Sequence, residues 1–208
     1  LGSVYCWGDQ SNVGFPNACS SYAADCVGSI LLGPKEKVQF SGNNQTSSNS
    51  SAVSIFSNNE YENQELFCTV HLDGTASCWG NQNYGQMGNG YISADSTTPK
   101  FVLLPQGSGS VISMALSRHY SCSLMDDGEI YCWGKNDNGQ LGDGTVCSSG
   151  EFTDNCNGDH VKPIAYEPVI LPNGTHAISI FRNTHSSTHD VCAILSNNRI
   201  FCWVTYYS

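Results

Sequence analysis

Tyr120-Ser121-Cys122-Ser123-Leu124-Met125-Asp126-Asp127-Gly128-Glu129-Ile130-Tyr131-Cys132-Trp133-Gly134 is the stretch from which the fold can be read. Two short apolar runs flank a turn, and a cysteine in each run lies ten residues from the other. The pattern recurs as Cys68 with Cys78-Trp79 and as Cys192 with Cys202-Trp203, and Tyr5-Cys6-Trp7-Gly8 is a half-copy without an upstream cysteine. The turns are Leu72-Asp73-Gly74, Asp126-Asp127-Gly128 and Ser196-Asn197-Asn198. A three-residue hairpin loop needs its last residue in the left-handed conformation, which Gly and Asn accept. That loop sets Cys68 opposite Cys78, Cys122 opposite Cys132 and Cys192 opposite Cys202. Each pair falls at a non-hydrogen-bonded site, where Cα atoms are about 4.5 Å apart and a bridge is feasible. Each unit therefore reads as a disulfide-stapled β-hairpin.

Downstream of two tryptophans the chain repeats itself again. Gly80 to Gly90 matches Gly134 to Gly144 nearly position by position, and Gly8 to Gly14 is a weaker version. So many glycines predict tight turns, with Met87 and Leu141 anchoring them. Pro99 to Leu104 and Pro168 to Leu171 read as strands, as do Val111 to Leu116 and Ala177 to Phe181. About four strands in a unit of about 50 residues is the module of a β-propeller blade. The expected fold is all-β, with three four-stranded antiparallel blades and an extra N-terminal strand. Residues 1–208 form one array, with an orphan strand at 3–8, a first blade with an insertion at 9–79, a second at 80–133, and a third with an insertion at 134–203.

The order Pro-x-x-Val, apolar strand, His near Cys-x-Leu, Asp-Gly, Tyr-Cys-Trp-Gly and Asn-x-x-Gly-Gln-Leu-Gly resembles the repeat of the regulator-of-chromosome-condensation family, in a secreted, cysteine-bearing form. Arg118 to Gly144 carries the likeness most fully, and it extends from Tyr5 to Trp203 with interruptions. The resemblance implies a propeller, usually of seven blades. Nuclear members exchange nucleotides on a partner, but eight basic against eighteen acidic residues, with no basic cluster, give no footing for nucleic acid. That activity is not carried over.

Eleven cysteines in 208 residues point to an oxidising compartment. Cys19 with Cys26 and Cys147 with Cys156 are the natural local pairs in two insertions. Cys6 is left over, for an intermolecular bond or as an unpaired thiol. Each hairpin bridge closes a loop of about ten residues, worth roughly 2–3 kcal/mol. No Cys-x-x-Cys knuckle supports zinc, so no metal or cofactor is expected. Asn44, Asn49 and Asn173 head N-glycosylation sequons. No apolar run approaches the roughly 18 residues that span a bilayer.

Other constellations have plainer readings. His185 to Asp190 is the densest histidine cluster and reads as a polar loop entering a strand, with His189 and His119 as repeat histidines. Asp137 and Asp143 faintly resemble an oxygen-ligand calcium loop without its terminal Glu, and Asn83 and Asn89 at the matching places favour turn chemistry. Trp7, Trp79, Trp133 and Trp203 recur at one repeat position, as inter-blade packing requires. Tyr22, Tyr61, Tyr91, Tyr166, Tyr206 and Tyr207 fall off the repeat and are better candidates for a contact surface. No nucleophile elbow, spaced carboxylate pair or phosphate loop marks an enzyme. The expected function is a non-catalytic, extracellular or cell-surface glycoprotein module that contacts proteins and self-associates, as a subunit of a fibre or coat. The alternative is a ligand-binding ectodomain similar to that of crinkly-type plant receptor kinases, or an inhibitor similar to the secreted propeller that acts on β-lactamases.

Overall fold

The computed structural model describes residues 8–9, 26–27, 30–31, 51–58, 65–92, 95–152, 156–183 and 190–203. Their regular structure is all strand and turn, in successive antiparallel sheets. A leading sheet holds β1 (Gly8–Asp9), β2 (Cys26–Val27) and β3 (Ile30–Leu31), in the order β1-β3-β2. The first full sheet is a meander of β4 (Ala52–Ser57), β5 (Leu66–His71), β6 (Ala76–Gly80) and β7 (Ser96–Phe101). The second is formed by β8 (Val111–Leu116), β9 (Tyr120–Met125) and β10 (Ile130–Lys135). A side hairpin of β11 (Ser149–Phe152) and β12 (Asn157–Asp159) follows, and then β13 (Val161–Lys162) completes that sheet against β10. The third comprises β14 (Ala177–Arg182), β15 (Val191–Leu195) and β16 (Ile200–Trp203).

The hairpin turns are one device used three times. His71 N–H donates to the Thr75 carbonyl at 2.9 Å, Met125 to Glu129 at 2.9 Å and Leu195 to Arg199 at 2.8 Å. Gly74, Gly128 and Asn198 carry the left-handed φ values of 79°, 85° and 62°. The register that follows sets Cys68 against Cys78, Cys122 against Cys132 and Cys192 against Cys202, with Cα atoms 4.1 Å apart and the disulfides formed. Cys147 and Cys156 are bonded across the base of the side hairpin. Cys6, Cys19, Asn44, Asn49, Tyr22, Tyr61, Tyr206, Tyr207, His185 and His189 lie outside the described residues.

The described sheets are bounded differently from the sequence repeats. The sheets run 52–101, 111–162 and 177–203, whereas the sequence suggested cuts at 79 and 133. The cause is that β6 and β10 each take their outer neighbour from the segment after the glycine loop, so a hairpin and its following loop share one sheet. Pro168 to Leu171 is also not a strand. Pro168 makes a single bridge to Tyr131, and Val161–Lys162 supplies the fourth strand. Of the expected orphan strand at 3–8 only Gly8 is among the described residues, and in β1 it pairs with Leu31 as Gly134 pairs with Lys162 in the second sheet.

The second sheet buries both faces against its neighbours because its strands alternate apolar residues on two sides. One core joins Leu66, Cys68, Val70, Ala76 and Cys78 of the first sheet to Val111, Met114, Leu116, Met125 and Trp133 of the second. The other joins Ala115, Cys122, Leu124, Ile130 and Cys132 of the second sheet to Ala177, Ile180, Val191, Ala193, Leu195 and Trp203 of the third. The three hairpin disulfides therefore lie on the downstream faces of their sheets, and the tryptophans Trp133 and Trp203 lie on the upstream faces.

The glycine loop of each sheet locks onto the tryptophan of the next. Trp133 Nε1 and Ser121 Oγ both donate to the Gln86 carbonyl, at 2.9 and 2.8 Å. Gly88, at φ +70°, lies so close that a Cβ there would fall 2.5 Å from Trp133 Nε1. Gly142 takes the same position against Trp203.

Candidate functional site

Face burial picks out the first candidate surface. On the downstream side of the second sheet, Ser113, Leu124 and Ile130 form one cross-strand row, and Ala115, Cys122 and Cys132 the next. The matching rows of the third sheet are Ser179, Ile194, Ile200 and Phe181, Cys192, Cys202. Ile130 is 0% exposed beneath the third sheet, and Ile200 is 66% exposed. Phe181 and Cys202 are exposed beside it and Ile194 is half-buried. The third sheet thus presents, uncovered, the face that the second sheet buries.

The second is a cavity of about 530 Å³ lined by the turn at Gly74, by Ala76 and Tyr91, and by the segment Lys100 to Leu104. A smaller hollow continues past Leu103 and Leu104 to Tyr166. Of the off-repeat tyrosines, Tyr91 and Tyr166 therefore line adjoining hollows, and Tyr91 is 66% exposed.

The carboxylates that faintly suggested a calcium loop are occupied by lysines. Lys162 Nζ donates to Asp143 Oδ2 at 2.6 Å in a buried pair, and Asp143 also accepts from Thr145. Lys135 pairs with Asp137 at 2.8 Å. Burial works to raise the Asp137 pKa, but hydrogen bonds from Lys135 and Gln140 and the nearby charges of Lys135 and His160 outweigh it, so the carboxyl titrates below its ordinary value. Tyr131 is pushed up to about 12 by burial first, then by its hydrogen bond to Glu129 and the surrounding carboxylates. Trp79 and Trp133 are fully buried and Trp203 nearly so, which makes them seam residues. Asn173 sits exposed in the turn before β14, where Thr175 donates to the Pro172 carbonyl. Among the described residues no group of three metal-ligating side chains converges.

Sequence reasoning missed the Lys162–Asp143 pair and the cavity. Lys162 lies beyond the insertion, so no repeat spacing linked it to Asp143. The cavity had a readable sign, since Ala76 stands where the next copy has Ile130.

Disulfide-stapled antiparallel sheets, two of four strands and one of three, stacked face to face and locked by glycine loop on tryptophan, define an array of propeller blades. The chain belongs to the regulator of chromosome condensation (RCC1) repeat family, whose models match residues 73–124 and 127–178, and, for a second model of the same description, 111–140. It is 38% identical over 76 residues to the E3 ubiquitin-protein ligase HERC2 of Mus musculus, a match covering 36% of this chain and 2% of that protein. The probable E3 ubiquitin-protein ligase HERC6 of Homo sapiens is 28% identical over 109 residues, 51% of this chain and 10% of its own length. Among solved structures, human WBSCR16 aligns with 98% of this chain and 43% of its own at TM-score 0.62 and 18% identity. Prp20p of Saccharomyces cerevisiae, studied for its binding to Gsp1p and histones, aligns with 98% of this chain and 54% of its own at TM-score 0.53 and 18% identity. The chain spans about half or less of these solved structures and a small part of the ligases.

Proposed function

We propose that this chain is a non-catalytic RCC1-type module that works outside the cytosol, at a cell surface or in the extracellular space, by protein–protein contact. Its third sheet docks head to tail on the leading end of a second copy, making the chain a subunit of a structural assembly. The observation that carries the reading is Ile200, exposed on a face whose counterpart at Ile130 is sealed by the next blade. Uncovered apolar faces of this kind are interaction sites. The face also repeats the chemistry of an interface that the chain already makes twice within itself.

Charge supports a second copy as the occupant. Residues 177–203 carry Arg182 and Arg199 against Asp190, while the described residues up to 101 carry Asp9, Glu65, Asp73 and Asp95 against Lys100. The exposed end is thus slightly positive and the leading end acidic, which favours heterologous over isologous contact. Four formed disulfides support an oxidising compartment, and the exposed Asn173 supports a glycoprotein.

Sedimentation velocity over a concentration series tests the reading. The chain should self-associate, and Ile200→Asp should abolish association while Leu72→Asp, an equally exposed site on a turn, leaves it intact. A monomer at every concentration, or assembly indifferent to Ile200→Asp, rules the reading out.

A further inference from the structure

The cavity beside Ala76 arises where the first blade departs from the second, and backbone hydrogen bonds establish the match residue by residue. Val102 N–H donates to the Ala76 carbonyl as Val169 does to Ile130, and Leu103 donates to Gly88 as Ile170 does to Gly142. Val111 donates to Gly74 as Ala177 does to Gly128. In the glycine loops, Tyr91 N–H meets Asn89 Oδ1 as Thr145 meets Asp143 Oδ1. The hydrogen-bond frame is therefore shared at these points. The stretch from Val102 to Val111, which brings Ser108 and Gly109 to the lining, is one residue longer than that from Val169 to Ala177. Of the side chains that differ, three bear on the cavity. Ala76 replaces Ile130, Tyr91 replaces Thr145, and Lys100 stands in the place of Glu167.

Each change acts in one direction. Ile130 fills the space within its core, and the methyl of Ala76 leaves that space open. Tyr91 raises an aromatic wall at the rim, and Val102, Leu103 and Leu104 supply an aliphatic floor. Lys100 brings an ammonium to a lining without a single carboxylate, and it makes no ion pair among the described residues. Asp73 and Asp126 lie behind the lining residues Thr75 and Gly109, so Lys100 is the one charged side chain that the lining itself presents. A volume of about 530 Å³ is that of a small-molecule site.

We propose that this cavity binds a free aliphatic carboxylic acid of medium chain length. The chain lies against Val102 and Leu104 beneath the Tyr91 ring, and the carboxylate meets the Lys100 ammonium. Apolar burial supplies the affinity and the single ion pair selects the head group. The site is separate from the exposed face of the third sheet.

Titration calorimetry of the whole chain with decanoate, decanol and decylammonium, each below its aggregation limit, tests this. Decanoate should bind with one site per chain, decanol about tenfold more weakly, and decylammonium not measurably. Ala76→Ile installs the side chain that the second blade already carries and should weaken decanoate at least about tenfold. Lys100→Glu, at a half-exposed position that does not threaten folding, should weaken decanoate similarly and let decylammonium bind. A thermal melt checks that Ala76→Ile is folded, and Lys100→Glu stands by itself if it is not. No saturable decanoate binding to the parent chain overturns the proposal. So does equal binding of decanoate by the parent and Lys100→Glu, or equal binding of decanoate and decylammonium by the parent.

Discussion

The second and third sheets share one hairpin, one disulfide and one turn, yet their downstream faces have opposite fates. Ile130 and Cys132 are sealed, while Ile200 and Cys202 face outward. Local sequence is nearly the same in both, so the difference comes from what is stacked on each sheet. A blade of this repeat has two faces that need covering, and its stability depends on position in the array.

The sharpest way to break that comparison is at the seam. Trp133→Ala removes a fully buried indole together with its hydrogen bond to Gln86, and should cost about 3–5 kcal/mol in chemical denaturation. A loss under about 1 kcal/mol would show that the glycine loop does not lock the blades. Truncating the two matched isoleucines comes next. Ile130→Ala should cost about 2–5 kcal/mol, and Ile200→Ala should stay within about 0.5 kcal/mol at concentrations where the chain is monomeric. Equal losses at the two positions would mean that the third sheet is covered after all.

Replacing Cys122 and Cys132 by serine should cost roughly 2–3 kcal/mol, and the same change at Cys192 and Cys202 should cost a similar amount. The bridges close loops of equal length, so here the sheets should agree. Serine variants of only one pair losing stability would sharpen the contrast toward packing.

The smallest effect is confined to alkaline pH. Tyr131 ionises near 10 in the unfolded chain and at about 12 when folded. Its contribution is whole below pH 10 and is lost as pH rises through 12, because the unfolded state releases its proton first. Tyr131→Phe should flatten stability against pH between these limits, and Phe201, its counterpart in the third sheet, confers no such dependence. A slope in denaturant midpoints that survives Tyr131→Phe would assign it to another group.

What was legible in the sequence was what repeats. The Cys-to-Cys spacing with Gly128 or Asn198 at the turn predicts register, because a left-handed residue leaves a three-residue loop one way to close. The limits of the sheets were harder to read. Ser96–Phe101 joins the strand before it across a glycine loop, and no local pattern says which neighbour such a strand will choose.

By itself, the sequence determined the hairpins, their disulfide register, the all-β class and the family, since each follows from residues within about a dozen positions of one another. Tertiary structure alone decided which isoleucine is core and which is surface, the pairing of Lys162 with Asp143, and the cavity beside Ala76. These depend on which sheet lies against which face. A side chain's burial is a property of its neighbours in space, and the same Ile-aromatic-Cys-Trp run serves as interior in one blade and as surface in the next.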